Sequence, residues 1–471
     1  MRQKTKNIFP EFFSLETKSA KTENEKTNKD VRHYRDLYKT FDDYLKKYPE
    51  IEQLAHEELK RLCKDDATRN RTPEFTTQNL FRAAIVMRME QLSLRDTEVA
   101  IAESLTLQRF CRLHKKETVS FQLIDRALLA ISPETWQSFN AAFAARMVAE
   151  KKIDPAYVRS DGTVVETNIH WPTDSSLCYD CYRTVNRIVE NAREAGLSPV
   201  LKAFRFHVGK IKTLHFRINQ NATVKSDDRK KRYKEDYDTI ISRTEDVVCK
   251  AEEIIQRLNA DGSDAAIVFA AELAGYLPIM RTIVSVARRR FKGEKVPNEE
   301  KVFSLFEPHT ELIKKGKKDK PIEFGHLIFI TQTREKFITD CILYEKSPSE
   351  TTMLPEVVDR HEDQFGRKPL GIAMDKGCHP GKETMEDLRD DYEDEVEFIG
   401  IPSRSNDFAD EEMGRYQRFR AGIEGSISFL KRCFGLTRVF FKGFKGFCRG
   451  VGSAIFCHNF LVMARRDLAA E

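Results

Sequence analysis

The sequence predicts an α/β protein whose strands are separated by a long, almost wholly helical insertion. Residues 157–166 are rich in β-branched side chains, and residues 369–375 form a short apolar run before a glycine, so both have the composition of buried strands. Between them, residues 177–300 carry the apolar period of helices together with many charges. The chain has 471 residues, which is enough for two or three domains.

The N-terminal part is predicted to be helical. Residues 1–30 are dominated towards their end by Lys, Glu, Thr and Asn, which indicates a disordered arm. Residues 31–152 form the next region, where successive amphipathic helices are expected at 78–91, 94–103, 105–113, 120–131 and 133–150. The segment 92–104 and the two helices after it have the layout of a helix-turn-helix module, although a small bundle that only packs accounts for the same pattern.

The region from residue 153 to residue 471 is expected to be one α/β domain, interrupted by the insertion at 177–300. Strands are predicted at 326–331, 337–343, 370–375 and 396–401, with a helix at 351–365. The insertion is required because Asp161 and Asp375, on the two buried strands, lie 214 residues apart. Neighbouring strands of a small domain are joined by much shorter connections.

The composition is that of an ordinary soluble protein with local basic patches. Hydrophobic residues make up 40% of the chain and charged residues 32%, and the net charge is only +5 although Lys and Arg number 79. The runs 229–232 and 288–292 are basic enough to follow a DNA backbone, and solvated helix faces explain them equally well. Among ten cysteines, only Cys178 and Cys181 have metal-ligand spacing, so a zinc site is not expected.

The sequence also predicts the compartment. The N-terminus is polar and charged and lacks the apolar run of a signal peptide. The most apolar helical stretch, 265–287, is interrupted by Glu272, Pro278 and Arg281, so a buried helix is expected there and not a membrane span. These features favour a cytoplasmic protein with reduced thiols and no membrane partner.

Residues 415–431 form the helix with the most informative pattern. Beside its apolar stripe runs a polar stripe that consists of Arg420, Glu424, Ser428 and Lys431. A carboxylate flanked by two cations can bind a divalent metal while the cations hold phosphates. Surface ion pairs at helical spacing produce the same pattern, so the helix alone leaves both interpretations open.

Two aspartates add ligands of the same kind. Asp161 lies in the middle of the first predicted strand, and Asp375 stands at the end of the second, directly before a glycine turn. Carboxylates at strand ends converge easily, because open sheets place their sites at the edge where the strands finish. With Glu424 they make a hard oxygen-ligand set suited to two Mg²⁺ or Mn²⁺ ions, the arrangement used for in-line phosphoryl displacement.

The order Asp161, Asp375, Glu424 and the sequences around it resemble the DDE transposases of bacterial insertion sequences, most closely the ISNCY type. The run Asn-Ile-His-Trp-Pro-Thr-Asp-Ser at 168–175 resembles the block after the family's first aspartate, and residues 419–431 resemble its glutamate block. Residues 303–311 and 316–325 resemble the stretch that leads into the second strand. The resemblance covers the chain from about residue 75 to its end and implies an RNase H-like fold for the catalytic core.

The resemblance implies an enzyme that binds double-stranded DNA at the element's terminal inverted repeats, cleaves a phosphodiester bond and joins the freed 3′-OH to target DNA. Asp161, Asp375 and Glu424 would be catalytic residues that hold two Mg²⁺ (or Mn²⁺) ions, while Arg420 and Lys431 would hold phosphates. The resemblance also favours DNA binding by the helical region 31–152, a homodimer or higher assembly on DNA, and a nucleoid-associated location.

Two features of the C-terminal part leave alternatives open. Related transposases carry a Tyr-x2-Arg-x3-Glu-x6-Lys signature, and here Gln417 stands at the tyrosine position with Tyr416 one residue earlier. The basic–aromatic run 438–447, which contains Lys442 and Lys445, can contact unpaired bases and phosphates or can be a packing loop. A structure-selective nuclease of the same fold and a decayed transposase that only binds DNA are the rival functions.

Overall fold

The computed structural model describes residues 28–63, 75–113, 118–223, 227–314, 321–392, 395–403 and 411–470. The predicted arm at 1–30 lies almost entirely outside these residues. The chain divides into two compact units, one formed by Met1–Glu166 together with His326–Glu471 and the other by Thr167–Gly325. The second unit contains the predicted insertion at 177–300 and extends beyond it on both sides, and the predicted boundary at 152–153 lies inside the first unit.

The helices and strands are numbered in chain order. The helices are α1 Lys29–Lys47, α2 Pro49–Leu59, α3 Thr77–Met89, α4 Leu94–Glu103, α5 Leu105–Phe110, α6 Phe121–Ala130, α7 Pro133–Ala149, α8 Asp174–Ala192, α9 Ser198–Leu201, α10 Val208–Asn221, α11 Asp227–Asp261, α12 Asp264–Phe291, α13 Met353–Phe365, α14 Lys382–Asp391, α15 Glu411–Cys433 and α16 Gly443–Ala470. The strands are β1 Tyr157–Thr167, β2 Glu311–Lys314, β3 Ile322–Thr333, β4 Ile338–Leu343, β5 Gly371–Ala373, β6 Phe398–Gly400 and β7 Arg438–Val439. The protein is a mixed α/β protein in which helices predominate.

The N-terminal helices begin at side-chain caps that the sequence supplies. Thr76, Ser93, Ser104 and Ser132 each accept a hydrogen bond from the backbone N–H three residues later, at the starts of α3, α4, α5 and α7. The five helices predicted between residues 78 and 150 are confirmed, and their ends differ from the prediction by at most a few residues. Local capping and periodicity therefore account for this part of the chain.

These helices share one hydrophobic core with the sheet and with α16. Phe143 of α7 lies against Phe460 of α16, with ring centroids 4.8 Å apart, and Trp136 lies 6.1 Å from Phe456. The same buried cluster contains Val165 of β1. Residues 31–152 therefore depend on the rest of the first unit to cover their apolar faces.

The sheet of the first unit is mixed. Its strands lie in the order β3-β1-β5-β6, with β4 paired to β3 and β7 paired to β1. Strands β1, β5 and β6 are parallel, whereas β3 and β4 are antiparallel. The four strands predicted after the insertion, and the helix among them, are confirmed, although β5 and β6 are only three residues long. Burial of both faces of β5 explains the apolar run from which it was predicted.

The second unit is a helical bundle with a short β-hairpin. Helices α8, α10, α11 and α12 enclose a separate core that includes Ile188, Ile241 and Met280. Strand β2 pairs antiparallel with the first part of β3, where Glu311 lies opposite Gly325. The helical character predicted for residues 177–300 is confirmed most clearly in α11 and α12, because apolar periodicity and the Ser263 cap are local signals.

Among the described helices, α12 and α16 are long and apolar enough to cross a membrane by length and composition alone. In α16, 78% of the apolar window is buried, within the core of the first unit. In α12 the share is 28%, and its buried face includes Leu273 and Ile283 of the second unit's core. Core helices of globular proteins meet the same test of length and composition.

Candidate active site

Two parallel strands bring the predicted aspartates side by side. Strands β1 and β5 pair with Val158 opposite Ile372 and Arg159 opposite Ala373. Continued by two residues, this register places Asp375 beside Asp161, on strands that are about 4.8 Å apart. Because β5 ends two residues before Asp375, the two carboxylates lie at its carboxyl end.

Helix α15 lies against the same strand ends. Gln417 donates from Nε2 to the backbone oxygens of Gly400 (2.9 Å) and Met374 (3.3 Å), at the ends of β6 and β5. The neighbouring Tyr416 stacks on Phe398 of β6, with ring centroids 4.1 Å apart. The residue at the signature's tyrosine position therefore holds the helix against the strand ends, while Tyr416 packs on the sheet.

Arg159 of β1 fixes the middle of the same helix. Its guanidinium is buried and donates to Gln332 Oε1 (3.0 Å) and to the backbone oxygen of Phe419 (2.8 Å). A Cβ atom on Gly422 would lie 2.0 Å from Arg159 Nη1. Glycine at this position lets α15 approach β1 closely, two residues before Glu424.

Three carboxylates face one guanidinium group. Arg420 Nη1 lies 3.2 Å from Asp161 Oδ2, and Arg420 Nη2 lies 3.7 Å from Asp375 Oδ1 and 3.5 Å from Glu424 Oε1. The Arg420 side chain is only 15% exposed, whereas those of Asp375 and Glu424 are 50% and 66% exposed. The predicted ligands therefore converge on one cationic position that solvent can reach from the side of Asp375 and Glu424.

A fourth carboxylate, which the sequence did not predict, lies beside this cluster. Glu350 begins a 3₁₀ turn at Glu350–Thr352, which packs against a second 3₁₀ turn at Lys376–Cys378. A Cβ atom on Gly377 would lie 2.9 Å from Glu350 Oε2, and one on Gly162 would lie 3.3 Å from Glu350 Oε1. Gly162 directly follows Asp161, and Gly377 lies two residues after Asp375. Because neither glycine has a side chain, the Glu350 carboxylate can lie close to both. The only sequence signal is its place between a predicted strand and a predicted helix.

Burial and neighbouring carboxylates change the acidity of the site. The pKa of Asp161 is raised to about 6, because its side chain is desolvated and lies near Asp375 and Glu350, while Arg420 opposes the shift. The pKa of the nearby Cys378 thiol is raised to about 12, first by burial and then by Glu350. Asp161, Asp375 and Glu424 share the guanidinium of Arg420, and a cluster of carboxylates around one cationic position is typical of functional sites that bind cations.

The residue types fit a hard divalent cation. Carboxylate oxygens are the preferred ligands of Mg²⁺, and the space between Asp161, Asp375 and Glu424 already contains a positive charge, that of the guanidinium. In the part of the chain that the structure describes, no group of three or more His, Cys, Asp or Glu side chains has metal-binding spacing. Because Arg420 stands between the carboxylates, a metal ion bound by all three would have to displace its guanidinium.

The other predicted DNA-binding residues lie further along the chain. Lys431 is half-buried in the last turn of α15, and Lys442 and Lys445 are exposed, one just before α16 and the other in its first turn. Strand β7 pairs with β1, and Arg438 of β7 forms an ion pair with Glu166 at 2.7 Å. The basic–aromatic run is therefore tied to the strand that carries the first aspartate.

In the second unit, the basic run 288–292 takes part in internal ion pairs. Three consecutive arginines bind acids of the same unit: Arg288 with Glu245, Arg289 with Glu294, and Arg290 with Asp174. The side chains of the run 229–232 are exposed. Cys178 and Cys181 are free thiols buried in α8. The three arginines therefore act as internal ion-pair partners. Of the two basic runs, only 229–232 remains a candidate for contacts with DNA.

Comparisons with known proteins do not assign the chain to a family. No family model matches it, and neither a curated protein nor a solved structure does. Its function has to be inferred from the sequence motifs and from the geometry of the carboxylate cluster.

Proposed function

We propose that the protein is a transposase of the DDE type, which cleaves DNA at the ends of an insertion sequence and joins the freed 3′ end to target DNA. The observation that carries the proposal is the convergence of Asp161, Asp375 and Glu424 on one cationic position, from two parallel strands and a helix. The motifs around these three residues are the ones that resemble the transposase family.

An RNase H-like catalytic core is part of the proposal. In support of it, β1 is followed in the chain by the antiparallel pair β3 and β4, the helix α13, the parallel strands β5 and β6, and the helix α15. Strand β1 lies between the antiparallel and the parallel parts of the sheet. This layout puts the carboxylates on neighbouring strands and on a helix that crosses their ends.

The carboxylates would hold the metal ions, and basic side chains would hold the DNA. Two Mg²⁺ (or Mn²⁺) ions bound by Asp161, Asp375 and Glu424 would supply activation of the attacking oxygen and neutralisation of the leaving oxygen. Arg420 can exchange its carboxylate partners for phosphate oxygens, which a guanidinium binds through two parallel hydrogen bonds. Lys431, two helical turns after the glutamate, contributes positive charge for the phosphate next to the cut.

Double-stranded DNA is the proposed partner, bound at the element's ends by the N-terminal helices and at the target by the carboxylate site. The helix-turn-helix-like segment at 92–104 corresponds to α4 and its flanking turns. Because these helices share their core with the sheet, DNA binding has to be measured on the whole chain. A homodimer or higher assembly would bring two ends together.

Isosteric substitutions of the carboxylates test the proposal. Asp161→Asn, Asp375→Asn and Glu424→Gln should each abolish Mg²⁺-dependent cleavage of DNA that carries the element's ends, because each removes a metal ligand. Binding of the same DNA should remain nearly unchanged, because none removes a phosphate contact. Glu411→Gln, in the first turn of the same helix, is the matched control and should cleave like the wild type.

Cleavage by any of the three carboxylate variants in Mg²⁺ would show that these residues are not the catalytic ligands. Adding a target plasmid separates the rival functions. Joined product supports a transposase, cleavage without joining supports a structure-selective nuclease, and binding without cleavage by the wild type supports a decayed transposase that only binds DNA.

A further inference from the structure

Phe440 is an exposed aromatic residue in the basic–aromatic run. Its side chain is 71% exposed, more than that of any other large apolar residue that the structure describes. The residues on either side are covered: Val439 is buried, and the Phe441 ring lies against Arg88, with its centroid 5.3 Å from the guanidinium carbon. The backbone therefore turns Phe440 outward between two anchored neighbours.

The tertiary structure holds Phe440 in this outward position. Strand β7, which ends at Val439, pairs with β1. Val439 packs closely against α16, since a Cβ atom on Gly450 would lie 2.6 Å from Val439 Cγ1. Below Phe441, Arg88 donates to Ser453 Oγ at 2.7 Å. The ring is therefore held in a fixed, exposed position, where one of its faces is available to stack on a flat ligand.

Phe440 lines a cleft of about 740 Å³. This volume is within the usual range of ligand sites, roughly 300–1,000 Å³. The lining combines apolar and polar side chains, which include Met87, Leu92, Leu94, Leu129, Gln91 and Asp125. Such a lining suits a flat ligand with apolar faces and hydrogen-bonding groups at its edges.

Cations surround the cleft and relate it to the carboxylate site. Arg438 and Lys442 line it, and Lys445 follows in the first turn of α16. Arg438 binds Glu166, which lies five residues after Asp161 on β1, so this edge of the cleft is roughly 16 Å from the carboxylates at about 3.3 Å per residue. A few nucleotides of an extended DNA strand cover such a distance.

We propose that Phe440 and this cleft bind one unpaired base of a DNA strand, a few nucleotides from the cleaved phosphate. The inference rests on the proposed function, because the carboxylates mark the cut from which the distance is counted. Stacking on Phe440 needs no particular base, since every base has a π face, and the neighbouring Lys442 binds an adjacent phosphate. Stacking would offset part of the free energy of unpairing that base.

A protein partner suits this cleft less well than a nucleic acid. Lysine is depleted at the centres of protein interfaces, whereas Lys442 stands beside the exposed ring. An aromatic ring between cations is the arrangement with which proteins bind single strands without reading their sequence.

Two DNA duplexes test the proposal with the full-length protein. One carries a single unpaired 2-aminopurine beside a nick, and the other has the same sequence fully paired. Stacking quenches 2-aminopurine fluorescence, so the wild type should quench the unpaired probe. Phe440→Ala should abolish this quenching and weaken binding of the unpaired duplex by roughly five- to 150-fold, the range for the loss of one base–aromatic stack. Phe440→Trp should retain both.

The fully paired duplex and a second variant serve as controls. Phe440→Ala should bind the paired duplex like the wild type and should melt at the same temperature, because the exposed ring contributes little to the core. Phe216→Ala removes another exposed phenylalanine, 54% exposed in α10, and should change binding of neither duplex.

If Phe440→Ala binds the unpaired duplex and quenches its fluorescence as the wild type does, this inference is overturned. The proposed function would still stand if the carboxylate variants lose cleavage. If the wild type binds neither duplex, the inference fails, and cleavage of DNA that carries the element's ends decides the proposed function separately. Equal loss of affinity for both duplexes in Phe440→Ala would also overturn it, because the ring would then contribute to general DNA binding.

Discussion

The carboxylate site of the first unit and the charged helices of the second unit use the same residue types in opposite ways. In the second unit acids and arginines are matched, as in the pair of Arg290 with Asp174 at 2.6 Å. At the site, three carboxylates share the guanidinium of Arg420, and Glu350 lies beside them. In a matched pair each charge has its own counter-charge, whereas carboxylates that share one cation disfavour each other's ionised forms until a ligand adds positive charge.

The two regions therefore differ in how their charges are paired, and neither the exposure of these side chains nor their sequence shows this difference. In the sequence, the carboxylate site and the second unit both appear as charged segments of predicted helices or strands. The raised pKa of Asp161 shows that the folded protein disfavours its ionised form. Natural proteins keep such unfavourable groups where binding or catalysis needs them.

After the three proposed metal ligands, the largest effect is expected from removal of Glu350, a carboxylate of the crowded site that no motif marks. Glu350→Gln should lower the rate of Mg²⁺-dependent cleavage by roughly ten- to a hundredfold, the range for residues that support a metal site from its surroundings. Added Mg²⁺ or Mn²⁺ should also raise the melting temperature of this variant less than that of the wild type. Single-turnover cleavage and thermal melting at several metal concentrations measure the two effects.

Glu383→Gln is the matched control for Glu350, because Glu383 is an exposed glutamate on α14. It should leave both measurements unchanged. If Glu350→Gln also behaves like the wild type, Glu350 does not support metal binding, and only the three carboxylates that contact Arg420 remain candidates for this role.

The same substitution in the two regions should change stability in opposite directions. Asp161→Asn should raise the free energy of unfolding of the metal-free protein by about 1 kcal/mol at pH 8, because it removes an unfavourable buried charge. Asp174→Asn should lower it by about 1–3 kcal/mol, because Arg290 and Tyr237 lose a charged partner. Urea unfolding measures both.

The gain from Asp161→Asn should depend on pH. A carboxyl group whose folded pKa of about 6 exceeds its ordinary value makes the wild type less stable as pH rises from about 4 to about 6. The asparagine variant lacks this loss, so its advantage should be full above about pH 6 and fade towards pH 4. An advantage that is independent of pH, or a destabilised variant at pH 8, would contradict this account of the site.

The smallest effect is expected from the basic residues of the second unit. Arg289→Ala should leave DNA affinity and its salt dependence unchanged, because Arg289 already binds Glu294 and Glu300. Lys442→Ala, at the cleft of the first unit, should weaken binding and reduce the slope of log K against log salt by about one. Binding titrations at several salt concentrations test both, and a reduced slope for Arg289→Ala would show that its ion pairs open on DNA.

Much of the secondary structure was predictable because its signals are local. The apolar period of α11 and α12, and the serine or threonine caps of α3, α4 and α7, depend on residues within a few positions of each other. The convergence of Asp161 with Asp375 was also predictable, because parallel strands finish at one edge. Glu350 was not, since its place depends on two turns that meet only in the folded chain.

The role of Gln417 illustrates the same limit. In the sequence it is a departure from a signature. In the structure it donates hydrogen bonds to the carbonyl oxygens of Met374, directly after β5, and Gly400, at the end of β6, and thereby holds α15 in place. The helical pattern placed Arg420 and Glu424 on one stripe, but it contained no information on the groups that face that stripe. The distances between Arg420 and the two aspartates depend on how Gly422 lets α15 approach β1.

Most helices and strands, the approximate position of the long insertion and the three carboxylates that are candidates for a metal site can be derived from the sequence without a structure. These properties depend on short-range periodicity and on local motifs, which can be recognised without knowing which other residues they contact. Three properties appear only in the folded chain: the N-terminal helices share a core with the sheet, one arginine binds three carboxylates, and Phe440 remains exposed beside a cleft. Each of these properties depends on contacts between residues far apart in the chain. The type of an apolar or charged residue does not identify the distant residues that it will contact.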